Sequence, residues 1–124
     1  MPEHARKAKA DVYPELKKEV LRELQPHEKM VLLAVARKLI LSKRAYALTG
    51  DVEKTYHIVC EEYGEEHRKH TQFWEYLQRM SALGLVDVKP SGAGQRGQSL
   101  RISIQEAPAA WLEKEMEKLL EGRK

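Results

Sequence analysis

The chain has 124 residues, of which 42% are hydrophobic and 33% are charged, and its formal net charge is +3 at pH 7. A chain of this length can bury one compact core, and this composition argues against both a disordered chain and a membrane-spanning one. The mildly basic balance permits a polyanionic partner without requiring one.

Nothing in the sequence indicates export or insertion into a membrane. The longest apolar run, Met30 to Ala36, is far shorter than the roughly 20 residues of a membrane-spanning helix. The first residues lack the apolar stretch of a secretory signal, and the single cysteine, Cys60, has no partner for an internal disulfide. We therefore expect a cytoplasmic protein with no membrane partner.

The front of the chain predicts two helices. Residues 1–10 are polar and aperiodic, which indicates a flexible lead-in, and residues 11–124 are expected to form a single domain. An amphipathic helix is predicted over residues 11–24, and Pro26 suits the first turn of the next helix. That second helix, residues 27–41, is apolar over much of its surface and should be the central, most buried element.

The middle of the chain predicts a short strand and a third helix. Residues 44–48 form an extended piece that could pair with a later hairpin as a third strand. Thr49 or Gly50 is expected to cap the third helix, and Gly64 to end it. The apolar face of this helix is predicted to consist of Val52, Tyr56, Val59, Cys60 and Tyr63.

A fourth helix is predicted over residues 71–83, and Gly84 ends it. Phe73, Leu77 and Met80 recur at helical spacing, so one face of this helix is expected to be buried.

A hairpin and a last helix complete the chain. Residues 85–88 and 100–104 alternate in the manner of half-buried strands, and the glycine-rich basic segment 90–97 lies between them. Pro108 opens the last helix. Its predicted buried stripe consists of Leu112, Met116, Leu119 and Leu120.

The order of these elements is helix, helix, short strand, helix, helix, strand, loop, strand, helix. This order is typical of a winged helix-turn-helix with an extra helix at either end. It predicts a mostly α fold with a small antiparallel β-sheet. Domains of this kind usually bind duplex DNA, with the later helix of the helix-turn-helix in the major groove.

The fourth helix has the two faces that a recognition helix needs. Opposite its apolar face, the predicted exposed side carries Thr71, Gln72, Glu75, Gln78 and Arg79. Base edges are read by hydrogen bonds, so Gln72 can pair with adenine, and Glu75 can accept from cytosine or orient a neighbouring side chain, whereas Arg79 is expected to meet a phosphate.

The residues around this face complete the prediction for the helix. Arg68, Lys69 and His70 immediately precede it and are placed for contacts with the DNA backbone. Trp74 lies beside the apolar stripe, and we interpret it as core packing rather than as a platform for base stacking.

The hairpin is the predicted wing, and its candidate DNA-binding residues are Lys89, Gln95, Arg96, Gln98 and Arg101. Arg96 lies on a narrow loop, and an arginine in such a position can enter a minor groove, where the negative potential is deepest. The alternative is a surface hairpin that binds nothing. The helix and the wing together favour DNA binding, because each is a weak signal alone.

A metal site is a different hypothesis, since His57, Cys60, His67 and His70 offer four nitrogen and sulfur donors in one short region. The sequence argues against it, because Cys60 shares the apolar face of its helix and His57 points elsewhere. No nucleophile, base and orienting acid stand out as a set either. We therefore expect no metal, no catalytic residues and no enzymatic activity in this chain.

Four pieces of sequence, in this order, carry a family resemblance: His27-Glu28-Lys29 before the apolar run 32–36, Thr49-Gly50-Asp51-Val52 with Tyr56 and Cys60, Leu83-Gly84-Leu85-Val86, and Gly94-Gln95-Arg96-Gly97. From about Leu24 onward the chain resembles the C-terminal winged-helix domain of archaeal replication initiators related to origin recognition complex subunit one and cell division control protein six. One departure is Phe73-Trp74, where some relatives carry arginines.

This resemblance implies more than the residues alone do. In such proteins the domain is paired with an AAA+ ATPase module, and it places its helix in the major groove and its wing in the minor groove of origin repeats. Thr71, Gln72 and Arg96 would then inherit the groove-reading roles. The partner would be origin DNA, and the domain would be associated with the nucleoid.

The chain has no phosphate-binding loop of the GxxxxGK[ST] kind. We therefore interpret it as the isolated C-terminal domain of a longer initiator, monomeric and without a cofactor, with ATP expected only in the missing module. The replicative helicase is a further expected partner. The alternative function is a winged helix used for protein docking, towards a helicase or initiator partner, with an exposed Trp111 or the mixed-charge first helix in the contact.

Overall fold

The structure is a computed structural model that describes residues 18–90, 100–104 and 107–122. The helices are α1 (18–23), α2 (Pro26–Ser42), α3 (Thr49–Glu62), α4 (His70–Ala82) and α5 (Ala109–Gly122), and the strands are β1 (Ala47–Leu48), β2 (Asp87–Pro90) and β3 (Leu100–Ser103). The predicted mostly α fold with a small antiparallel sheet is confirmed. The predicted lead-in and the first part of the first helix lie outside the described residues.

The central element is α2, as its apolar sequence predicts. Residues 30–36 on this helix are all fully buried, and α2 packs against α3, α4 and α5. Pro26 occupies the first turn, where its missing N–H costs no hydrogen bond. The helix therefore forms the middle of the core, with the other helices arranged around it.

None of the described helices combines the length and the apolar character needed to cross a bilayer.

The strands form one antiparallel sheet with the order β1-β3-β2. Ile102 of β3 lies opposite both Ala47 of β1 and Val88 of β2, and its side chain is fully buried. The predicted pairing of the short first strand with the later hairpin is confirmed. Because side chains alternate across a strand, the neighbouring row, with Lys89 opposite Arg101, lies on the outer face.

The second strand begins later than residues 85–88 predict. Leu85 and Val86 are both buried, whereas an alternating strand buries only every second residue. The Leu85 N–H donates to the Met80 carbonyl oxygen, and this bond closes the end of α4. Gly84 has a φ angle of 81° and ends that helix, as predicted. Leu85 thus belongs to the helix end, Val86 lies between the two elements, and strand pairing starts at Asp87.

The predicted cap of the third helix is wrong. Leu48 is the residue before the first turn, and both Thr49 and Gly50 lie inside α3. The Thr49 hydroxyl instead donates to the Leu100 carbonyl oxygen and accepts the Leu100 N–H, at 3.1 and 3.2 Å. The side chain therefore joins the start of α3 to the start of β3. Gly64 follows the helix with φ 70, in the conformation expected of a terminating glycine.

The last helix differs from its prediction at two positions. Leu112, Met116 and Leu120 are buried as expected, whereas Leu119 is only partly buried. Trp111 is not the exposed side chain predicted for a docking contact, because it is half-buried and packs against the core. The docking hypothesis therefore loses one of its two candidate contacts, and the mixed-charge first helix is the other.

Candidate DNA-binding surface

The exposed face of α4 is the first part of the candidate surface. Phe73, Leu77 and Met80 are fully buried, which fixes the rotation of the helix about its axis. Trp74 is half-buried and packs against the core, as its position beside the stripe predicts. The opposite face is exposed at Thr71, Gln72, Glu75, Gln78, Arg79 and Ala82. All five predicted polar residues thus lie on the solvent side of the helix.

The connecting turn between α3 and α4 (residues 65–69) is bound to the fully buried Tyr56. The Arg68 N–H donates to the Tyr56 hydroxyl oxygen at 2.7 Å, and that hydroxyl is hydrogen-bonded to Nδ1 of His27 at 2.8 Å. Burial raises the pKa of the Tyr56 hydroxyl, so this group keeps its proton and remains able to donate. The backbone of Arg68 is therefore fixed, while the side chains of Arg68 and Lys69 are exposed.

Two further contacts hold this part of the chain against α3. The rings of His57 and His67 stack with their centroids 3.6 Å apart. Nδ1 of His70 lies 2.9 Å from a carboxylate oxygen of Glu53, although the His70 side chain is 71% exposed. His70 is therefore already paired within the domain, and its ring is held at the first residue of α4.

Arg79 lies at the other end of the exposed face, where α4 meets the start of α2. Its Nε is 2.8 Å from Oε2 of Glu28. The Glu28 side chain is 2% exposed and the Arg79 side chain 57% exposed, so the pair joins a buried carboxylate to a guanidinium at the surface. The predicted phosphate-binding residue thus makes an internal ion pair as well.

The base of the wing forms a second basic area, on the outer face of the sheet. The Arg101 guanidinium carbon lies 4.4 Å from the centre of the Tyr46 ring, a cation–π contact. Lys89, directly across the strands, lies 3.5 Å from the Asp87 carboxylate. These residues line an open cleft of about 400 Å³. Gln95, Arg96 and Gln98, the predicted tip of the wing, lie outside the described residues.

The four side chains of the metal hypothesis occupy three separate places. The Cys60 sulfur is buried 3.8 Å from the Met30 sulfur. His57 stacks on His67, and His70 pairs with Glu53. Within the described part of the chain, no group of three or more histidine, cysteine, aspartate and glutamate side chains is arranged to hold a metal ion.

Sequence reasoning missed three residues at this surface, which are Glu28, Tyr46 and His27. The spacing of Gln25 and Glu28 before an apolar run is a helix-start signal, and the Gln25 N–H does donate to the Glu28 carboxylate. That signal could have placed Glu28 in the first turn of α2, but it could not have predicted that Glu28 pairs with Arg79. Nothing local indicated that Tyr46 would lie under Arg101, or that His27 would be hydrogen-bonded to Tyr56.

The two helices α3 and α4, followed by the β2–β3 hairpin, define a winged helix-turn-helix domain. The chain belongs to the family described as the CDC6 C-terminal winged helix domain, whose model matches residues 19–114. The sequence therefore corresponds to the winged-helix domain of Cdc6/ORC initiators and not to their ATPase module.

Curated and solved relatives agree with this assignment. The chain is 35% identical over 104 residues to the ORC1-type DNA replication protein 2 of Sulfurisphaera tokodaii, covering 82% of this chain and 25% of that protein. It is similar to the crystal structure of Cdc6p from Pyrobaculum aerophilum, with 40% identity, a TM-score of 0.75, and coverage of 86% of this chain and 26% of that one. The chain thus spans about a quarter of the length of these relatives.

A third structure shows the same fold at lower identity. The Aeropyrum pernix ORC1 protein in complex with DNA has a TM-score of 0.76 and 24% identity, covering 98% of this chain and 31% of that one. This likeness extends over almost the whole chain, and it shows the fold alone.

Proposed function

We propose that this domain binds duplex DNA at replication origins, with α4 in the major groove and the wing in the minor groove. The observation that carries the proposal is the polar, exposed face of α4 on a helix whose opposite face is fully buried. A helix held in this way can enter a groove with its polar side chains first. The names of the relatives, which are DNA replication proteins, support the same interpretation.

The exposed side chains divide into two roles. Thr71, Gln72 and Glu75 read base edges from the first turns of α4, where a recognition helix makes most of its base contacts. Arg68, Lys69, His70 and Arg79 contact phosphates on either side of the groove, and these contacts set the position of the helix. His70 binds a phosphate while its ring remains held by Glu53.

The wing supplies the contacts to the neighbouring minor groove. Arg96 enters that groove, and Gln95 and Gln98 flank it. Lys89 and Arg101, at the base of the wing, contact the phosphates that border the groove, and Tyr46 holds the Arg101 guanidinium in place.

The remaining assignments follow from the same proposal. Residues 11–124 form one monomeric domain of a longer, cytoplasmic and nucleoid-associated initiator. The domain itself catalyses no reaction and needs no metal or cofactor, since ATP is bound by the ATPase module. The replicative helicase is a partner of the whole initiator.

Titration of labelled duplexes at several salt concentrations tests the proposal. Duplexes are first enriched from a random pool by the wild-type chain. Each phosphate contact releases counterions, so the logarithm of the affinity should fall with the logarithm of salt by about 0.9 per contact. Duplexes of unrelated sequence are expected to bind at about micromolar affinity or weaker. A chain that binds no duplex at low salt, or enriches none, contradicts the proposal.

Three variants separate the roles within this experiment. Gln72→Ala should lose about 1–3 kcal/mol of discrimination at one base pair of the enriched duplex. Arg96→Ala should weaken binding to all duplexes alike. It should also reduce the slope of log affinity against log salt by about 0.9, the value for one phosphate contact. Lys114→Ala, which removes an exposed cation from α5, is the matched control and should change neither quantity.

A further inference from the structure

Glu28 is the most deeply buried charged residue among those described, at 1% exposure for the whole residue. Its two carboxylate oxygens have different partners. Oε1 accepts the Gln25 N–H at 2.8 Å, at the start of α2, and Oε2 lies 2.8 Å from Nε of Arg79 on α4. A buried carboxylate is costly unless hydrogen bonds and an opposite charge compensate it, so both contacts are needed to keep Glu28 in place.

The pairing occupies only one part of the Arg79 side chain. Nε faces Glu28, which leaves the two terminal nitrogens of the guanidinium with their four N–H donors. No other acidic side chain in the described part of the chain forms an ion pair with Arg79, and its side chain is 57% exposed. Gln72 and Arg79 are about two turns apart, so they lie along the same edge of α4.

We propose that Glu28 is a positioning residue for DNA binding. It holds Arg79 so that the terminal nitrogens of the guanidinium face a phosphate of the DNA strand that lies beside α4. This inference rests on the proposed function. A guanidinium can bind a phosphate through two parallel N–H bonds, and its fork keeps a fixed geometry while Nε is bound elsewhere. An arginine that is already ordered loses less side-chain entropy when it binds.

The Glu28→Gln variant distinguishes a positioning role of Glu28 from the effect of its negative charge on DNA binding. The substitution removes a negative charge beside the proposed interface, so electrostatics alone would strengthen DNA binding. Positioning predicts the opposite sign: the amide pairs weakly with Arg79, the guanidinium becomes mobile, and affinity for the enriched duplex falls by about threefold to tenfold. Glu66→Gln, at an exposed position in the connecting turn, is the charge control and should leave affinity unchanged or raise it.

A double-mutant cycle tests whether Glu28 acts through Arg79. Arg79→Ala should weaken binding and lower the salt slope by about 0.9, because one phosphate contact is lost. If Glu28 acts only by holding that side chain, Glu28→Gln should cause no further loss in the Arg79→Ala background. A purely structural role for Glu28 would instead give losses that add.

The outcomes separate the two proposals. If the wild-type chain binds no duplex, the proposed function fails and this inference fails with it. If the wild type binds while Glu28→Gln binds as tightly or more tightly, or if the losses add, only the inference is overturned.

Arg79→Lys decides the question if circular dichroism shows that Glu28→Gln does not fold. This variant keeps both Glu28 and the positive charge, but an ammonium cannot hold the carboxylate and present a fork to phosphate. It should lose most of the affinity that Arg79→Ala loses, and full affinity in this variant overturns the inference.

Discussion

The hydroxyl of Tyr56 joins three parts of the domain through two hydrogen bonds. It lies on α3, is hydrogen-bonded to His27 at the start of α2, and accepts the N–H of Arg68 in the connecting turn. Its side chain is fully buried and His27 is 6% exposed, so water has little access to replace these bonds. The Tyr56 hydroxyl is therefore one of the contacts that fix the position of the turn before α4.

Tyr56→Phe is expected to lower the free energy of unfolding by about 2–3 kcal/mol, because it removes two hydrogen bonds from a place that water hardly reaches. Urea unfolding measures this loss. Tyr63→Phe is the control: it removes the same atom from the residue that follows α3, where the hydroxyl makes no hydrogen bond within the described residues, and it should cost less than about 0.5 kcal/mol. Equal losses in the two variants would show that the Tyr56 hydrogen bonds contribute nothing.

At the residue scale, apolar positions could be predicted and polar contacts could not. The helical spacing of Phe73, Leu77 and Met80 determines which side of α4 is buried, because burial follows from local periodicity. Tyr56 was correctly placed on the apolar face of its helix. Its hydroxyl, however, bonds to groups 12 and 29 residues away, and no local pattern encodes such distances.

Three helices meet at Arg37. Its guanidinium lies 2.7 Å from Glu62 at the end of α3, and 3.6 and 3.0 Å from Glu113 and Glu117 of α5. Burial lowers the pKa of this guanidinium, but the hydrogen bonds to Glu62 and Glu117 outweigh burial, and the net shift is upward. Arg37 therefore stays charged and offsets the repulsion among the carboxylates around it.

Arg37→Met should lower the free energy of unfolding by about 1–3 kcal/mol, since it removes charge-assisted hydrogen bonds and leaves like charges together. Chemical unfolding measures the loss, and adding Glu117→Gln should restore part of it by reducing the repulsion. Lys38→Met, the next residue of α2, removes the same charge away from the cluster. If Lys38→Met is as destabilising, the cluster is not what joins the helices.

At the element scale, the ends that depend on local chemistry could be predicted. Gly64 and Gly84 end α3 and α4 because a positive φ suits glycine. The start of β2 could not be predicted, because Leu85 is apolar enough for a strand. A hydrogen bond from its N–H to the Met80 carbonyl oxygen holds it at the end of α4 instead. The role of Thr49 depends on a bond to Leu100, which is 51 residues away and becomes a neighbour only when β1 pairs with β3.

At the scale of the whole molecule, the order of elements was sufficient to predict the topology. Short connections leave few ways to arrange a helix-turn-helix and a hairpin around one apolar helix, and α2 supplies that helix. The candidate site was predicted less completely. The face of α4 lies where its periodicity places it, whereas residues 91–99 are outside the described part, so the position of Arg96 relative to that face stays a prediction.

Three buried or partly buried acids connect the stability of the molecule to pH. Burial raises the pKa of the Cys60 thiol above its ordinary value of 9.0, and burial raises the pKa of the Tyr56 and Tyr63 hydroxyls above 10.0. The folded chain therefore holds these protons more tightly than the unfolded chain does. A group of this kind contributes its full stability below its unfolded pKa and loses it as the pH rises through its folded pKa.

The free energy of unfolding should thus be unaffected by these groups below about pH 8 and should fall above about pH 9, as unfolding begins to release protons. Cys60 and Tyr56, which are almost fully buried, each contribute up to about 1.4 kcal/mol per pH unit. Urea unfolding across this range measures the slope. Cys60→Ala should be less stable at neutral pH but should lose stability more slowly between about pH 9 and pH 10. Equal slopes for the two proteins would mean that the thiol does not titrate differently in the folded chain.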